Sequence, residues 1–227
     1  MAYILNIHTS TETAIVNITD GDKVLGTSMN DETKQHASFL HNAIHELLHH
    51  HRIAIKNLDA IGVSSGPGSY TGIRVGLATA KGLCYALKIP MITYNSLEVM
   101  ALSAANFVKD THALYCPMID ARRMEVYTAV YNYDMQEVTP PSAIVLNENS
   151  FADILNSNKI YFSGSGSNKF QQLTKNVNAV FLSHRISTES LAKIVWEKVE
   201  KNDFENIPYV QPLYIKEFHS IFKKQIT

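Results

Sequence analysis

The order of strand-like and helix-like patterns constrains the fold of this 227-residue chain most, because that order runs through once and then starts again. The first run opens with YILNIH, continues with TAIVNIT, a DGD turn and KVLGTSM, and predicts three strands joined by tight turns. Residues 33–52 place Ala37, Leu40, Ile44, Leu47 and Leu48 at the spacing of one helical face, and LDAIGVSS reads as a buried strand. A glycine-rich loop then enters a long helix that stops near KIP, because the residue before Pro90 is pushed out of helical space. The second run offers the strands ALYCPMID, MEVYTAVYNY and EVTPPSAIVL, a helix over 148–156, the strand KIYFSG and a helix over 168–177. The strand NAVFL and an amphipathic helix over 188–200 follow. The expectation is an α/β chain of two βββαβα lobes, residues 1–104 and 105–227, joined around SAANFVKDTH, with a cleft between them and the last helix free to pack back on the first lobe.

Composition narrows the partners. Charged residues make up 18%, hydrophobic residues 45%, and the net charge is -1, values of a globular chain rather than one that seeks polyanions by itself. No stretch reaches the roughly 18 apolar residues of a membrane span, and MAYILNIHTS lacks a basic leader, so a cytoplasmic protein with no membrane contact is expected. Cys84 and Cys116 stand far apart without a second pair, which excludes a zinc knuckle by spacing and reads as two small core residues.

The stretch SSGPGSYTGIRVGLATAKGL raises the sharpest functional question. Gly66, Gly68 and Ser69 lie between a strand and a helix start, where free amides and the helix dipole favour an anion. A Walker loop would need Gly-Lys-Ser/Thr where this chain has Gly72, Ile73 and Arg74, and the spacing of Gly66, Gly68 and Gly72 misses the dinucleotide fingerprint by one residue. The alternative is a tight turn that needs positive φ. Gly72, Gly76 and Gly82 each cost about 1 kcal/mol inside a helix relative to alanine. Gly72, Gly76 and Ala80 recur every four residues with Thr79 and Leu83 beside them, a surface for a closely approaching helix. That helix is either the chain's own 33–52 segment or one from a second subunit.

Other candidates carry less. His41, His45 and His49 share a stripe at a spacing that metal ligands use, but no carboxylate completes a site, so no metal is assigned and a solvated or interface face is expected, one that protonation could tune. Asp120 with Arg122 and Arg123 reads either as a phosphate turn or as a hairpin with a surface ion pair. GSGSNKF, with Gly164 and Gly166, could face an adenosine across a cleft. No G-x-S-x-G elbow is present, which leaves serine hydrolase chemistry unsupported. Lys216, Lys223 and Lys224 read as a solvated terminus before they read as an RNA contact.

Taken together, GPGSYTGIRVGLATAKGL, NSLEVMA, PMIDARRMEVYTAVY, GSGSNKF and PLYIKEF resemble the TsaB (YeaZ) family of bacterial subunits in tRNA threonylcarbamoyladenosine formation. The resemblance implies two ribonuclease-H-like lobes in the architecture of actin-like ATPases and sugar kinases (ASKHA). It implies a subunit without catalytic residues that pairs with a TsaD-like catalytic subunit through first-lobe helices, works with a TsaE-like ATPase, forms a homodimer when alone, and meets tRNA through the complex. The residues it nominates for the partner face are Tyr70, Thr71, Gly72, Arg74, Val75, Gly76, Thr79, Ala80 and Leu83, with His36 and Leu40 from the preceding helix. It further implies no cofactor on the isolated chain, with ATP or ADP and magnesium confined to the assembled complex. Relatives open with IDTST where this chain has IHTST; His8 thus stands in place of an aspartate that would position magnesium, and a neutral imidazole is no hard oxygen ligand. The alternative reading is a free-standing ATPase or small-metabolite kinase of the same architecture.

Overall fold

The computed structural model describes residues 1–32 and 36–215, with His36 and Ala37 by backbone alone. The helix start expected at Thr33, and Lys216, Lys223 and Lys224, lie outside the described residues.

Strands β1 (Tyr3–His8), β2 (Ala14–Asp20), β3 (Lys23–Asn30), β4 (Ala60–Gly66) and β5 (Met91–Asn95) form one sheet in the order β3-β2-β1-β4-β5. β1 sits centrally, antiparallel to β2 and parallel to β4. Alternation sends Leu5 and Ile7 to one face and Ile4 to the other, and both faces are covered, so the strand reads as nearly continuous apolar sequence. Helices α1 (His36–His50) and α2 (Tyr70–Leu87) cover the outer face. Leu40, Ala43, Ile44, Leu47 and Leu48 of α1 are buried at the spacing that makes the helix amphipathic.

The second sheet repeats the plan. β6 (Leu114–Asp120), β7 (Glu125–Tyr131), β8 (Glu137–Val145), β9 (Ile160–Ser163) and β10 (Ala179–Leu182) run in the order β10-β9-β6-β7-β8, the same topology read from the other edge. Pro140 and Pro141 fall in β8, an edge strand, where a missing donor is tolerated. The helices equivalent to α1 and α2 are α4 (Ala152–Leu155) and α5 (Ser167–Gln171), far shorter than expected over 148–156 and 168–177. After α5 the backbone is drawn into side-chain turns: Asn176 donates its amide to Thr174 Oγ1 and Asn178 donates its amide to Asn176 Oδ1, bonds that compete with a helix.

Two elements escaped the sequence reading. β5 adds a parallel edge to the first sheet, and SAANFV, expected as part of the joint, is the second half of α3 (Ser96–Val108), so the expected boundary at 104 falls inside a helix. Asn95 caps α3 by accepting from the Leu97 amide at 2.9 Å. α3 and α6 (Thr188–Glu200) lie between the sheets. Leu97, Ala101 and Ala104 of α3 pack on the second sheet, while Leu191, Ile194 and Val195 of α6 pack on the first. A helix walled in on several sides shows no polar stripe, which is why periodicity missed α3. Beyond α6 the chain recrosses the first lobe, where Glu205 donates its amide to the Met91 carbonyl at 2.9 Å and Leu213 to Ser65 at 2.8 Å. Among the described residues no helix is long and apolar enough to cross a membrane.

Candidate docking surface and interlobe cleft

Ser69 starts α2 by accepting the Gly72 amide at 3.2 Å, and Lys88, in left-handed conformation, ends it. The glycine face of this helix turns inward. A Cβ on Gly72 would collide with the Thr9 carbonyl oxygen, one on Gly76 would meet Thr9 Oγ1 and Ile7, and Ala80 is fully buried. Thr9 also donates its hydroxyl to the Gly72 carbonyl at 2.7 Å. The expectation that Gly72, Gly76 and Ala80 receive a partner is therefore corrected: they let α2 press on the end of β1 in the same chain. Leu40 is corrected likewise, since it is a core residue of α1. His36 opens α1, and its side chain lies outside the described residues.

The remaining nominees stand at the surface. Tyr70, Thr71 and Arg74 are exposed; Val75, Thr79 and Leu83 are half-buried. Arg74 lies 3.8 Å over the Tyr70 ring and donates Nε to the Tyr214 hydroxyl at 2.9 Å, tying the start of α2 to the returning chain end. Gly82, the third glycine, has open space where a side chain would be. It borders a groove of about 650 Å³ between α1 and α2, with Ile44, Leu48, Ile53 and Leu83 as its apolar floor and Ala78, Thr79 and Ile55 along its walls. His41, His45 and His49 form the α1 rim. This groove was missed because Ala78 and Gly82 gave no hydrophobic signal; their small size is what leaves it open.

The phosphate candidates do not converge. Ser69 donates its amide to the Ser10 carbonyl at 2.7 Å, Gly66 donates to Ser64 Oγ, and Gly68, at φ +149°, packs against that same Ser10 carbonyl. Carbonyl oxygens pressed on this loop repel an anion, so the cradle reading at Gly66, Gly68 and Ser69 is corrected to a tight turn. Across the molecule Asp120 accepts from Lys169 Nζ and from the Arg122 amide, both at 2.6 Å. Arg122 and Arg123 are left-handed, which makes this a hairpin turn with an ion pair, although the cation is Lys169 and neither arginine. Gly164, at φ +90°, lies against Met100 and Met118, and Gly166 donates its amide to Met118, so GSGSNKF is moulded on β6.

A cleft of about 270 Å³ opens between the lobes, lined by Thr11, Glu12, Gly164, Asn168, His184 and Arg185 among others; Gly66, Gly68, Ser69, Asp120, Arg122 and Gly166 lie outside that lining. Among the described residues its one carboxylate is Glu12, and desolvation holds His184 below the usual imidazole range. A magnesium nucleotide would find here, among the described residues, one carboxylate with hydroxyls, an amide and an arginine as its donor set. His8 is fully buried, stacked on Tyr94 at 6.0 Å, with Nε2 3.1 Å from Thr11 Oγ1. Ser10, Ser64 and Ser96 join hydroxyls at 2.7–2.8 Å, and Ser10 Oγ lies 3.4 Å from His8 Nε2. The pairing looks like a hydroxyl nucleophile with its base, but all four side chains are buried at 1% exposure or less, so it is a polar core network. Cys84 and Cys116 are buried too, and burial pushes each thiol up to about 12.

A family model described as TsaD, tRNA N6-adenosine threonylcarbamoyltransferase, matches residues 23–209. The chain belongs to this family. Among curated proteins, the tRNA threonylcarbamoyladenosine biosynthesis protein TsaB of Bacillus subtilis (strain 168) is 36% identical over 146 residues, which are 63% of this chain and 62% of that protein. The match thus spans under two thirds of the relative's length. A crystal structure from Pseudomonas aeruginosa, described as similar to peptidase YeaZ, superposes with a TM-score of 0.83 at 22% identity, over 95% of this chain and 100% of that one. An inorganic polyphosphate/ATP-glucomannokinase from Arthrobacter sp. strain KM superposes with a TM-score of 0.52 at 11% identity, over 88% of this chain and 100% of that one. These two show the fold: paired ribonuclease-H-like lobes in the actin-like ATPase architecture.

Proposed function

We propose that this TsaD-family chain serves tRNA threonylcarbamoyladenosine formation as a non-catalytic docking subunit, and that its α1–α2 groove receives the equivalent helices of a TsaD-like catalytic subunit. The observation that carries the reading is the groove itself, an apolar trough of about 650 Å³ flanked by exposed Ala78 and Gly82. A partner of the same fold would bring its own two outer helices, and two such pairs crossing make a four-helix packing in which small residues allow close approach. A second copy covers the groove when the chain is alone. Chemistry, with any ATP, ADP or magnesium, belongs to the assembled complex that also contains a TsaE-like ATPase, and tRNA is met there. The engaged amides around Ser69 and the buried His8 support leaving catalysis to the partner.

Gly82→Leu tests the reading, because the new side chain projects into the groove at a point where no described residue lies within 4 Å. The variant is expected to keep its circular dichroism, to melt no lower than wild type, and to lose at least about 100-fold in affinity for the TsaD subunit of the same organism, measured by ultracentrifugation. Unchanged affinity would remove the groove from the interface. The chain alone is expected to form no modified tRNA.

A further inference from the structure

We propose that the histidines on the groove rim make docking proton-sensitive: a seated partner helix requires His45 and His49 to be neutral, so the complex loosens as the solution is acidified. The inference rests on the docking reading above.

His41, His45 and His49 stand at four-residue intervals on α1, and all three border the apolar groove. The rings of His45 and His49 stack with centroids 6.2 Å apart and planes 16° from parallel, a contact that two neutral rings keep and two imidazolium ions oppose by like charge. Among the described residues, counter-charge is scarce around His45 and His49. Along α1 the neighbours are Glu46 and His50; the α2 wall contributes Ala78, Thr79, Gly82 and Leu83, none of which titrates. The turn after α1 supplies Arg52 and Lys56, which are like charges. On their other side the two rings border a second depression whose β3 wall is Leu25, Gly26, Thr27 and Ser28, with His51 beside it. Among the described residues, Glu46 is therefore the single carboxylate that lines either depression.

An apolar helix laid on this rim strips water from both rings. Imidazole is the side chain whose ordinary titration lies between pH 5 and 8, and desolvation disfavours its cation. The sign follows: docking holds the rings in the neutral form, so affinity is complete above the free imidazole range and falls as pH drops through it. Each histidine that has to shed a proton to be covered adds its own loss of affinity on acidification.

The test measures affinity of the full chain for the same organism's TsaD subunit by titration calorimetry at about pH 8 and about pH 5.5. Circular dichroism at both values verifies that each protein is folded. Wild type is expected to bind about 100-fold more weakly at the lower pH, and His45→Gln/His49→Gln to change by less than about threefold. An equal pH response in the variant overturns the proposal, as does tighter binding of wild type on acidification, which would set partner carboxylates against the stripe. A wild-type complex indifferent to pH removes the proton effect and leaves docking standing. No complex at pH 8 removes both.

Discussion

The two lobes share one topology and differ on their outer faces. α1 and α2 of the first lobe span 15 and 18 residues, whereas α4 and α5, their equivalents in the second, span 4 and 5. The second lobe closes its face with its own aromatics: Phe162 lies 5.4 Å from Phe151, 5.0 Å from Phe170 and 5.4 Å from Phe181. The first lobe instead leaves a trough between two long helices. Of these two surfaces, only the one on the first lobe keeps, among the described residues, an apolar trough with nothing of its own chain on it.

That contrast can be broken at its strongest point by Phe162→Ala. Phe162 is fully buried, and removing its ring is expected to cost about 3–5 kcal/mol in denaturant unfolding. A loss below about 1 kcal/mol would mean that the aromatic cluster does not hold the second lobe closed. Next comes Gly72→Val, whose branched side chain meets the Thr9 backbone; a loss of about 3 kcal/mol, or about 6–12 °C in melting temperature, is expected. A variant that melts like wild type would put the glycine face back on the outside.

Where the lobes interlock, burial raises the carboxyl of half-buried Glu98 above its ordinary range; Lys198 opposes the shift, while Glu137 and Glu197 add to it. A folded-state value raised above the unfolded one means that ionised Glu98 destabilises the fold at neutral pH, and that this penalty vanishes as pH falls below the ordinary carboxyl range. Glu98→Gln is therefore expected to raise stability at pH 7 and to match wild type near pH 4; a variant equally stabilised at both values would point to packing instead. The smallest effect belongs to Gly82→Ala, expected to gain about 0.5–1 kcal/mol because the added methyl meets open space. The opposite signs at Gly72 and Gly82, on one helix, measure which side of α2 is already occupied.

Much of the fold was legible residue by residue. The meander of β1 to β3, the amphipathic α1 and α6, and the start of α2 after its glycine loop were carried by period and turn chemistry. α3 was not, because Leu97, Met100 and Ala104 face a second sheet while Val99 and Leu102 face the first, leaving no polar side to mark a helix. In the candidate site, Tyr70, Arg74, Thr79 and Leu83 were placed on the accessible side of α2, whereas Gly72, Gly76, Ala80 and Leu40 went to the core. The Ser10, Ser64 and Ser96 network had no signal at all, since no local spacing joins residues from three separate segments.

By itself the sequence determined the two-lobed α/β plan, the family, and that α2 must come close to something, because glycine inside a helix is retained where a Cβ has no room. Only the tertiary structure decided what it comes close to. A helix has three sides, and periodicity cannot say which of them the chain will cover for itself. Thr9 took the side with Gly72 and Gly76, the returning chain took the side with Arg74 and Lys81, and the described residues leave the side with Ala78 and Gly82 open.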